Sequence, residues 1–282
     1  MFAVNIMNKT MAKGGPSKEI GVAYAVFAVS ILSVWHFIAE GQFSAILTLS
    51  VMCQALAFAT LAIGCLTKGS TTGISGNSLI LEAMSLVCRL SSTTWLNGYL
   101  PVDESGDFAF QASDVCSLFL VVWLLYQVLV AHKHTYQADL DTLPVLPFAL
   151  VCLVLAAILH ADMNSRPLFD ALWMAGVFTG SISVLPQLWL ITRNGGIIEA
   201  YMSHFIALMA VSRGLSGAFM WHARNDVTCE RYFENVNHAI WAILAAHAFN
   251  MVLLGDFGYH YIKAVASKGL SATIELPVVD MV

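Results

Sequence analysis

The sequence predicts an all-α protein that crosses a lipid bilayer about eight times. Of its 282 residues, 58% are hydrophobic and 11% are charged, and the mean hydropathy is +0.74. Soluble chains carry roughly 25% charged residues, so this chain has too few charges to cover a soluble protein of 30.6 kDa. Apolar stretches of about 20 residues, the length of a membrane-spanning helix, recur along it. These observations together predict a polytopic helical membrane protein.

Eight apolar stretches are long enough to form transmembrane helices. We place them near residues 20–38, 44–66, 77–96, 114–131, 143–160, 167–191, 203–222 and 236–262. The first stretch lacks a small-residue cleavage site, so we interpret it as a membrane span rather than a signal peptide. The connections between the stretches are too short to contain a soluble domain.

The distribution of basic residues predicts that both termini face the cytosol. With eight spans, the termini and the loops after even-numbered spans share one side of the membrane. That side carries eight of the thirteen basic residues, namely Lys9, Lys13, Lys18, Lys68, Lys133, Arg193, Lys263 and Lys268. The other side carries Arg166, Arg224 and Arg231. Because basic residues are enriched in cytoplasmic loops, the richer side is assigned to the cytosol.

Two segments resemble each other and indicate an internal repeat. Each has a basic loop with glycine that leads into a helix carrying a single arginine. The first contains Thr67, Lys68, Gly73, Ile74, Ser78, Met84 and Arg89, and the second Thr192, Arg193, Gly196, Ile197, Ser203, Met209 and Arg213. The two helices are the third and seventh spans, so they cross the membrane in the same direction. This predicts two parallel three-helix repeats, a linking helix and one extra N-terminal helix, and substrate sites in such folds lie between the repeats.

Arg89 and Arg213 are the candidate binding residues. At 1.5 Å rise per residue both lie near the middle of their spans. An arginine there costs about 2.5–3.5 kcal/mol on insertion scales and faces the bundle interior or a watery cavity. Two guanidinium groups at one depth suit the binding of an anion such as a carboxylate. The alternative is structural ion pairing, for which the sequence offers Glu82, Asp114, Asp170 and Asp256.

The sequence gives no indication of metal, cofactor or nucleic-acid chemistry. The closest histidines, His132 and His134, lie in a loop without companion ligands, so no metal site is predicted. No nucleophile elbow, phosphate-binding loop or zinc-protease helix occurs, so we predict neither an enzyme nor a cofactor. A net charge of −5 is too small to indicate a nucleic-acid partner.

Six groups of residues between positions 44 and 270 form a recognisable set. They are Gly73-Ile-Ser-Gly-Asn-Ser78 followed by Arg89, Thr135-Tyr136 with Asp141-Thr142, Leu172-Trp173, Val184-Leu-Pro-Gln-Leu188, Ser203-His204 with Arg213, and Asp256-Phe257 with Tyr259 and Tyr261-Ile262. In their order and spacing they resemble the ER lumen protein retaining receptors, or KDEL receptors. The Pro186-Gln187 pair also marks the wider PQ-loop group, which includes sugar transporters of the SWEET type.

The resemblance implies a receptor that cycles between the Golgi and the endoplasmic reticulum and binds the C-terminal tetrapeptide of escaped luminal proteins. Its seven-helix membrane domain would occupy residues 44–265. Residues 1–43 would form a cytosolic N-terminal segment and the extra transmembrane helix, and residues 266–282 a cytosolic tail. The implied partners are a luminal peptide and the lipid bilayer, with further membrane subunits as an open alternative.

The resemblance also assigns roles to individual residues. Arg89 and Arg213 match arginines that hold the acidic groups and the terminal carboxylate of the signal. Trp221 and Arg224 match a further Trp/Arg pair if one residue is inserted. The candidates for structural or gating roles are Pro186, Gln187 and Asp256.

The chain departs from the family pattern at six positions. A family arginine falls on Leu47, the histidine associated with pH sensing on Gln54, an aspartate on Ser92, a glutamate on Gly180, and two tyrosines on Ser212 and Ser216. These changes remove cationic, acidic and aromatic groups together, so we expect an altered pocket. Two alternatives therefore stay open, a non-catalytic accessory subunit of a membrane complex and a PQ-loop transporter of a small solute.

Overall fold

The computed structural model describes residues 17–38, 43–96, 98–100, 106–195, 197–227, 236–268 and 274–275. The predictions that concern Lys9, Lys13 and Arg231 lie outside these residues.

The described chain is almost entirely helical. Its α-helices are α1 (Ser17–Ser33), α2 (Ala45–Lys68), α3 (Gly76–Thr93), α4 (Asp107–Tyr126), α5 (Val145–Leu159), α6 (Pro167–Ile182), α7 (Leu185–Arg193), α8 (Ala200–His222) and α9 (His238–Lys268). A π-helical turn extends α1 over Val34–Ile38, and another extends α4 over Gln127–Ala131. Because α6 and α7 form one interrupted span, the described helices make eight spans, which confirms the predicted all-α polytopic fold. Five of these spans are long and apolar enough to cross a membrane by those criteria alone.

Proline and glycine set several helix boundaries. The α6–α7 interruption lies just before Pro186, whose ring would clash with the carbonyl group of Ile182 in a continuous helix. Pro186 instead occupies the first turn of α7, where a missing amide hydrogen is tolerated. Gly69 ends α2 with φ of 60°, a left-handed conformation that glycine adopts without a Cβ clash.

The two predicted repeats pack in a symmetric pattern. The most extensive helix contacts are α2 with α8 and α3 with α6. In each contact, the first helix of one repeat packs against the second helix of the other. The third helices, α4 and α9, pack against α2 and α8 respectively, while α5 links the repeats and packs on α6. These reciprocal contacts place the interface between the repeats in the centre of the bundle.

The extra helix α1 joins the bundle through apolar packing, to which Ala23 and Phe27 contribute, and through a polar contact. Ile20 is buried, and the hydroxyl of Tyr24 lies 3.1 Å from Nδ1 of His204 on α8. The hydroxyl of Tyr261 on α9 lies 2.9 Å from the same nitrogen. A polar group in hydrocarbon needs an internal partner, so this cluster fixes α1 against the last two spans.

A two-residue antiparallel ribbon lies at the end of the bundle that contains the α7–α8 connection. It pairs β1 (Ile197–Ile198) with β2 (Ile274–Glu275), with Ile198 opposite Ile274. The side chains of Ile198 and Ile274 are both buried. The ribbon therefore attaches the chain that follows α9 to the loop between α7 and α8.

Candidate ligand-binding site

Arg89 and Arg213 line the same cavity at the interface between the repeats. The cavity has a volume of ≈ 50 Å³. Its wall is formed by α2, α3, α6, α8 and α9, with Phe110 of α4 and Tyr99 of the α3–α4 loop also contributing. The structure therefore brings the two predicted arginines to the wall of one cavity.

Arg89 is held by a carboxylate from the next helix of its own repeat. Its Nε donates to Oδ2 of Asp114 at 2.7 Å, and its NH2 donates to Oδ1 at 2.6 Å. Asp114 on α4 is fully buried. Two parallel hydrogen bonds of this kind fix the plane of the guanidinium group as well as its position. The NH1 group of Arg89 lies outside this ion pair.

Arg213 is held by a carboxylate from the other repeat. Its NH2 lies 3.1 Å from both oxygens of Glu82 on α3. Glu82 also accepts a hydrogen bond from the hydroxyl of Ser183, which lies at the α6–α7 interruption. Both bonds of Arg213 use one nitrogen, which leaves its Nε and NH1 outside the ion pair.

Structural ion pairing thus occurs at both arginines, and two of the four candidate acids provide it. The other two have different surroundings. Asp170 accepts a hydrogen bond from the hydroxyl of Tyr99 at 2.7 Å. Asp256 lies on an exposed face of α9, 3.8 Å from Nε2 of His260. The sequence did not discriminate among the four, because helical periodicity does not specify which helix faces are opposed.

The cavity wall also carries neutral polar groups. Among the described residues, Gln54 Nε2, His247 Nε2 and Asn250 Oδ1 are buried without a hydrogen-bond partner. The amide orientation of Asn250 is set by its nitrogen, which donates to the carbonyl groups of Gly180 and Ser181 at 3.3 and 2.9 Å. The family resemblance placed Gln54 at a pocket position, but sequence reasoning did not assign His247 or Asn250 to the site. The available signal was their position inside apolar spans, where polar side chains mark functional positions.

Gly180 allows α6 to approach both α3 and the Arg213 guanidinium. A Cβ atom at this position would lie 2.7 Å from Oγ of Ser85 and 3.6 Å from NH1 and NH2 of Arg213. Real Cβ atoms do not approach other atoms as closely as 2.7 Å. A side chain at position 180 therefore requires the Ser85 hydroxyl to move.

The other departures from the family pattern fall into two groups. The side chains that line the arginine cavity are Leu47, Gln54, Ser212 and Ser216. Ser92 is not among the lining residues, and its hydroxyl donates to the carbonyl group of Phe169 at 3.0 Å. The altered positions are therefore concentrated at the cavity, with Ser92 at a helix contact.

A wider cavity of ≈ 520 Å³ adjoins the arginine cavity. The two share Leu47, Tyr99, Trp173 and Met220, so the wider cavity forms a mouth for the smaller one. Burial, and then the hydrogen bond to Asp170, raises the pKa of Tyr99 in the loop between α3 and α4. Tyr99 therefore stays a neutral hydrogen-bond donor where the two cavities meet.

Trp221 and Arg224 lie apart from the two cavity arginines. Trp221 is 58% exposed at the end of α8. NH1 of Arg224 donates to the backbone oxygen of Trp221 at 2.8 Å, and the guanidinium carbon of Arg224 lies 4.9 Å from the centre of the indole ring. Neither residue lines the arginine cavity. Their binding role stays a prediction that rests on the family resemblance.

Gln187 joins the repeats at the opposite end of α3 from the mouth. Its Oε1 accepts from the backbone nitrogen of Ser75 at 2.9 Å, and its Nε2 donates to the backbone oxygen of Gly73 at 2.8 Å. Asp141 binds the same segment by accepting from the Ser75 hydroxyl at 2.8 Å and from the Tyr136 hydroxyl at 2.8 Å. These motif residues therefore form a structural junction at the start of α3.

Comparison with known proteins identifies the family of the chain. The family model of the ER lumen protein retaining receptors matches residues 70–224, which is more than half of the chain. The chain belongs to this receptor family. The match contains both arginines and both of their acidic partners, whereas Gln54, His247 and Asn250 lie outside it.

Individual receptors of the family align with a larger part of the chain. The ER lumen protein-retaining receptor erd-2.2 of Caenorhabditis elegans is 25% identical over 231 residues, which cover 80% of this chain and 96% of the receptor. The Drosophila melanogaster receptor is 28% identical over 198 residues, or 70% of this chain and 82% of the receptor. Receptor 2 of Xenopus laevis is 25% identical over 221 residues, or 78% and 94%.

Proposed function

We propose that this chain is a retention receptor of the endoplasmic reticulum and Golgi membranes. It binds C-terminal retention signals of luminal proteins and serves their retrieval from the Golgi. Family membership supports this proposal, and the relatives are named as ER lumen protein-retaining receptors. The observation that carries it is the shared position of Arg89 and Arg213 on the wall of one cavity at the repeat interface.

The orientation predicted from the basic residues gives this cavity a luminal entrance. The mouth lies beside the start of α2 and the end of α8, at Phe43, Ser44, Phe219 and His222. With both termini in the cytosol, these helix ends face the lumen. A signal peptide therefore enters through the aromatic mouth with its terminal carboxylate first.

The terminal carboxylate binds to the N–H groups of the two arginines that take no part in the ion pairs. These are NH1 of Arg89 and the Nε and NH1 groups of Arg213. Asp114 and Glu82 hold the guanidinium groups in position before the ligand arrives, which reduces the ordering cost of binding. They also oppose the added negative charge, so the affinity is lower than that of a site with unpaired arginines.

The experiment compares a short peptide that has a free C-terminal carboxylate with its amidated twin, using the purified full chain in lipid nanodiscs. We expect about tenfold weaker binding of the amidated peptide, because it lacks the charged acceptor. Arg213→Gln should remove most of this difference. Arg193→Gln is the matched control, since Arg193 lies at the end of α7 and stacks on Trp189. Equal binding of the two peptides contradicts the proposal.

A second candidate function is favoured by the neutralisation of both arginines. In an accessory subunit, the pairs Arg89–Asp114 and Arg213–Glu82 serve only to stabilise the bundle. This alternative predicts that the chain co-purifies in a stable complex of fixed stoichiometry and binds neither peptide. A monodisperse chain that binds the free-carboxylate peptide contradicts it.

A further inference from the structure

We propose that the arginine cavity, besides holding the terminal carboxylate, recognises an uncharged hydrogen-bonding side chain of the ligand, such as a carboxamide side chain, in preference to an acidic one. The inference rests on the proposed function, because it concerns which signals the same cavity selects. It goes beyond that function by assigning Gln54, His247 and Asn250 as specificity-determining residues.

The charge balance of the cavity disfavours additional anions. The two arginines on its wall are matched by the carboxylates of Asp114 and Glu82, both of which are buried. The four groups together carry no net formal charge. A terminal carboxylate can use the remaining arginine donors, but a second carboxylate from an acidic side chain would be buried without a counter-ion of its own. Such a charge is strongly disfavoured.

Buried polar atoms without partners provide the positive evidence. Gln54 and Asn250 are each 1% exposed, and each has an amide atom that lacks a hydrogen-bond partner among the described residues. His247 contributes a third such atom on the same cavity wall. Buried polar atoms are usually paired, so unpaired ones that share a cavity indicate a missing partner. The Gln54 nitrogen donates and Asn250 Oδ1 accepts, and a carboxamide offers both complementary functions.

The volume of the cavity limits what can enter it. A cavity of ≈ 50 Å³ is much smaller than a tetrapeptide. It can take only the end of a peptide, where the terminal carboxylate and one neighbouring polar group lie. The remainder of the peptide must therefore lie in the mouth of ≈ 520 Å³.

The mouth adds to the same preference. The described residues that line the mouth include Asp162, Asp226 and His222, and no lysine or arginine is among these lining residues. Two carboxylates at the entrance repel acidic side chains more than amide side chains. A neutral ligand is therefore favoured at the mouth as well as at the inner cavity.

The experiment uses peptides with a free C-terminal carboxylate that differ only by glutamate or glutamine at each of the three positions before the last residue. We expect the glutamine peptide to bind about tenfold more tightly at one position. Gln54→Leu and Asn250→Leu should each bring the ratio of the two affinities closer to one. Thr60→Val is the matched control on α2, because Thr60 is buried, donates to the carbonyl group of Ala57 and does not line the cavity.

The outcomes separate this inference from the proposed function. If both peptides bind and glutamate is equal or better at every position, the inference is wrong and the receptor function stands. If neither free-carboxylate peptide binds, both proposals are wrong. If the leucine variants do not fold, the wild-type ratio at each position still decides the question.

Discussion

The carboxylate of Glu82 on α3 lies 3.1 Å from the NH2 nitrogen of Arg213 on α8, and this ion pair joins the second helices of the two repeats. The main packing partners of these helices are α6 and α2 respectively. The pair therefore connects two helix contacts that are otherwise formed separately. Ser183 extends the connection to the α6–α7 interruption.

Removing one charge of the Glu82–Arg213 pair should destabilise the bundle more than removing both charges. Removing one member of a buried ion pair costs about 3–5 kcal/mol, because the other charge is left uncompensated. We expect Glu82→Gln and Arg213→Gln each to lower the melting temperature in detergent, and the double variant to recover part of the loss. Additive losses would show that the two charges are not coupled.

Gly64 permits the closest approach between α2 and α8. A Cβ atom at this position would lie 2.8 Å from Cβ and Cγ of Tyr201. We expect Gly64→Ala to destabilise the protein by about 1–3 kcal/mol, as overpacking does, measured by thermal unfolding. Gly21→Ala on α1 is the control, because its added Cβ meets nothing within 4 Å. Equal effects of the two substitutions would contradict the packing explanation.

Gln187 should be important for the position of α7 relative to α3. Gln187→Leu removes two hydrogen bonds and leaves the buried nitrogen of Ser75 unpaired, at a cost of about 1–3 kcal/mol for that group. We expect a lower melting temperature and faster proteolysis of the loop before α3. Trp189→Phe, which removes one exposed hydrogen bond to Thr142 and keeps an aromatic ring beneath Arg193, should have a much smaller effect. A larger loss in Trp189→Phe than in Gln187→Leu would refute this role.

The surroundings of Tyr136 predict that the folded chain loses stability at high pH. Burial, and then the hydrogen bond to Asp141, raises the pKa of this phenol above its ordinary value. In the unfolded chain the Tyr136 phenol ionises near pH 10, whereas in the folded chain it keeps its proton at that pH. The contribution of Tyr136 is therefore fully present below about pH 10 and decreases as the pH rises towards the folded pKa.

The measurement compares the melting temperatures of the wild-type chain and Tyr136→Phe between about pH 9 and pH 11. The wild-type chain should be the more stable of the two at pH 9, and the difference should shrink at pH 11. A difference that stays constant would contradict a raised pKa of Tyr136 in the folded chain.

The sequence predicted the span positions and the repeats because each span must be apolar over the thickness of the bilayer. The helices α2, α5 and α8 begin within three residues of the predicted stretches. The α6–α7 interruption was not predicted as a break, although Pro186 was recognised, because apolarity continues across it. The ribbon of Ile198 and Ile274 was missed for a different reason, since two residues are too few to show a strand pattern.

The candidate site was only partly predictable. The depth of Arg89 and Arg213 followed from residue counting, because the rise of a helix is fixed. Their partners depended on which faces of α3, α4 and α8 oppose each other, and this is decided by packing over the whole bundle. The positions of His247 and Asn250 on the cavity wall were hidden for the same reason.

The contact between Tyr24 and His204 also has a consequence for the biosynthesis of the protein. The two residues are 180 positions apart in the chain, so a ribosome working at roughly 5–20 residues per second needs about 9–36 s to proceed from one to the other. During that interval the newly made first helix can pack against α2, but it lacks α8 and α9, which form the polar cluster at His204. The speed of translation therefore determines how long the Tyr24 hydroxyl must wait in the translocation machinery or in lipid for its partner.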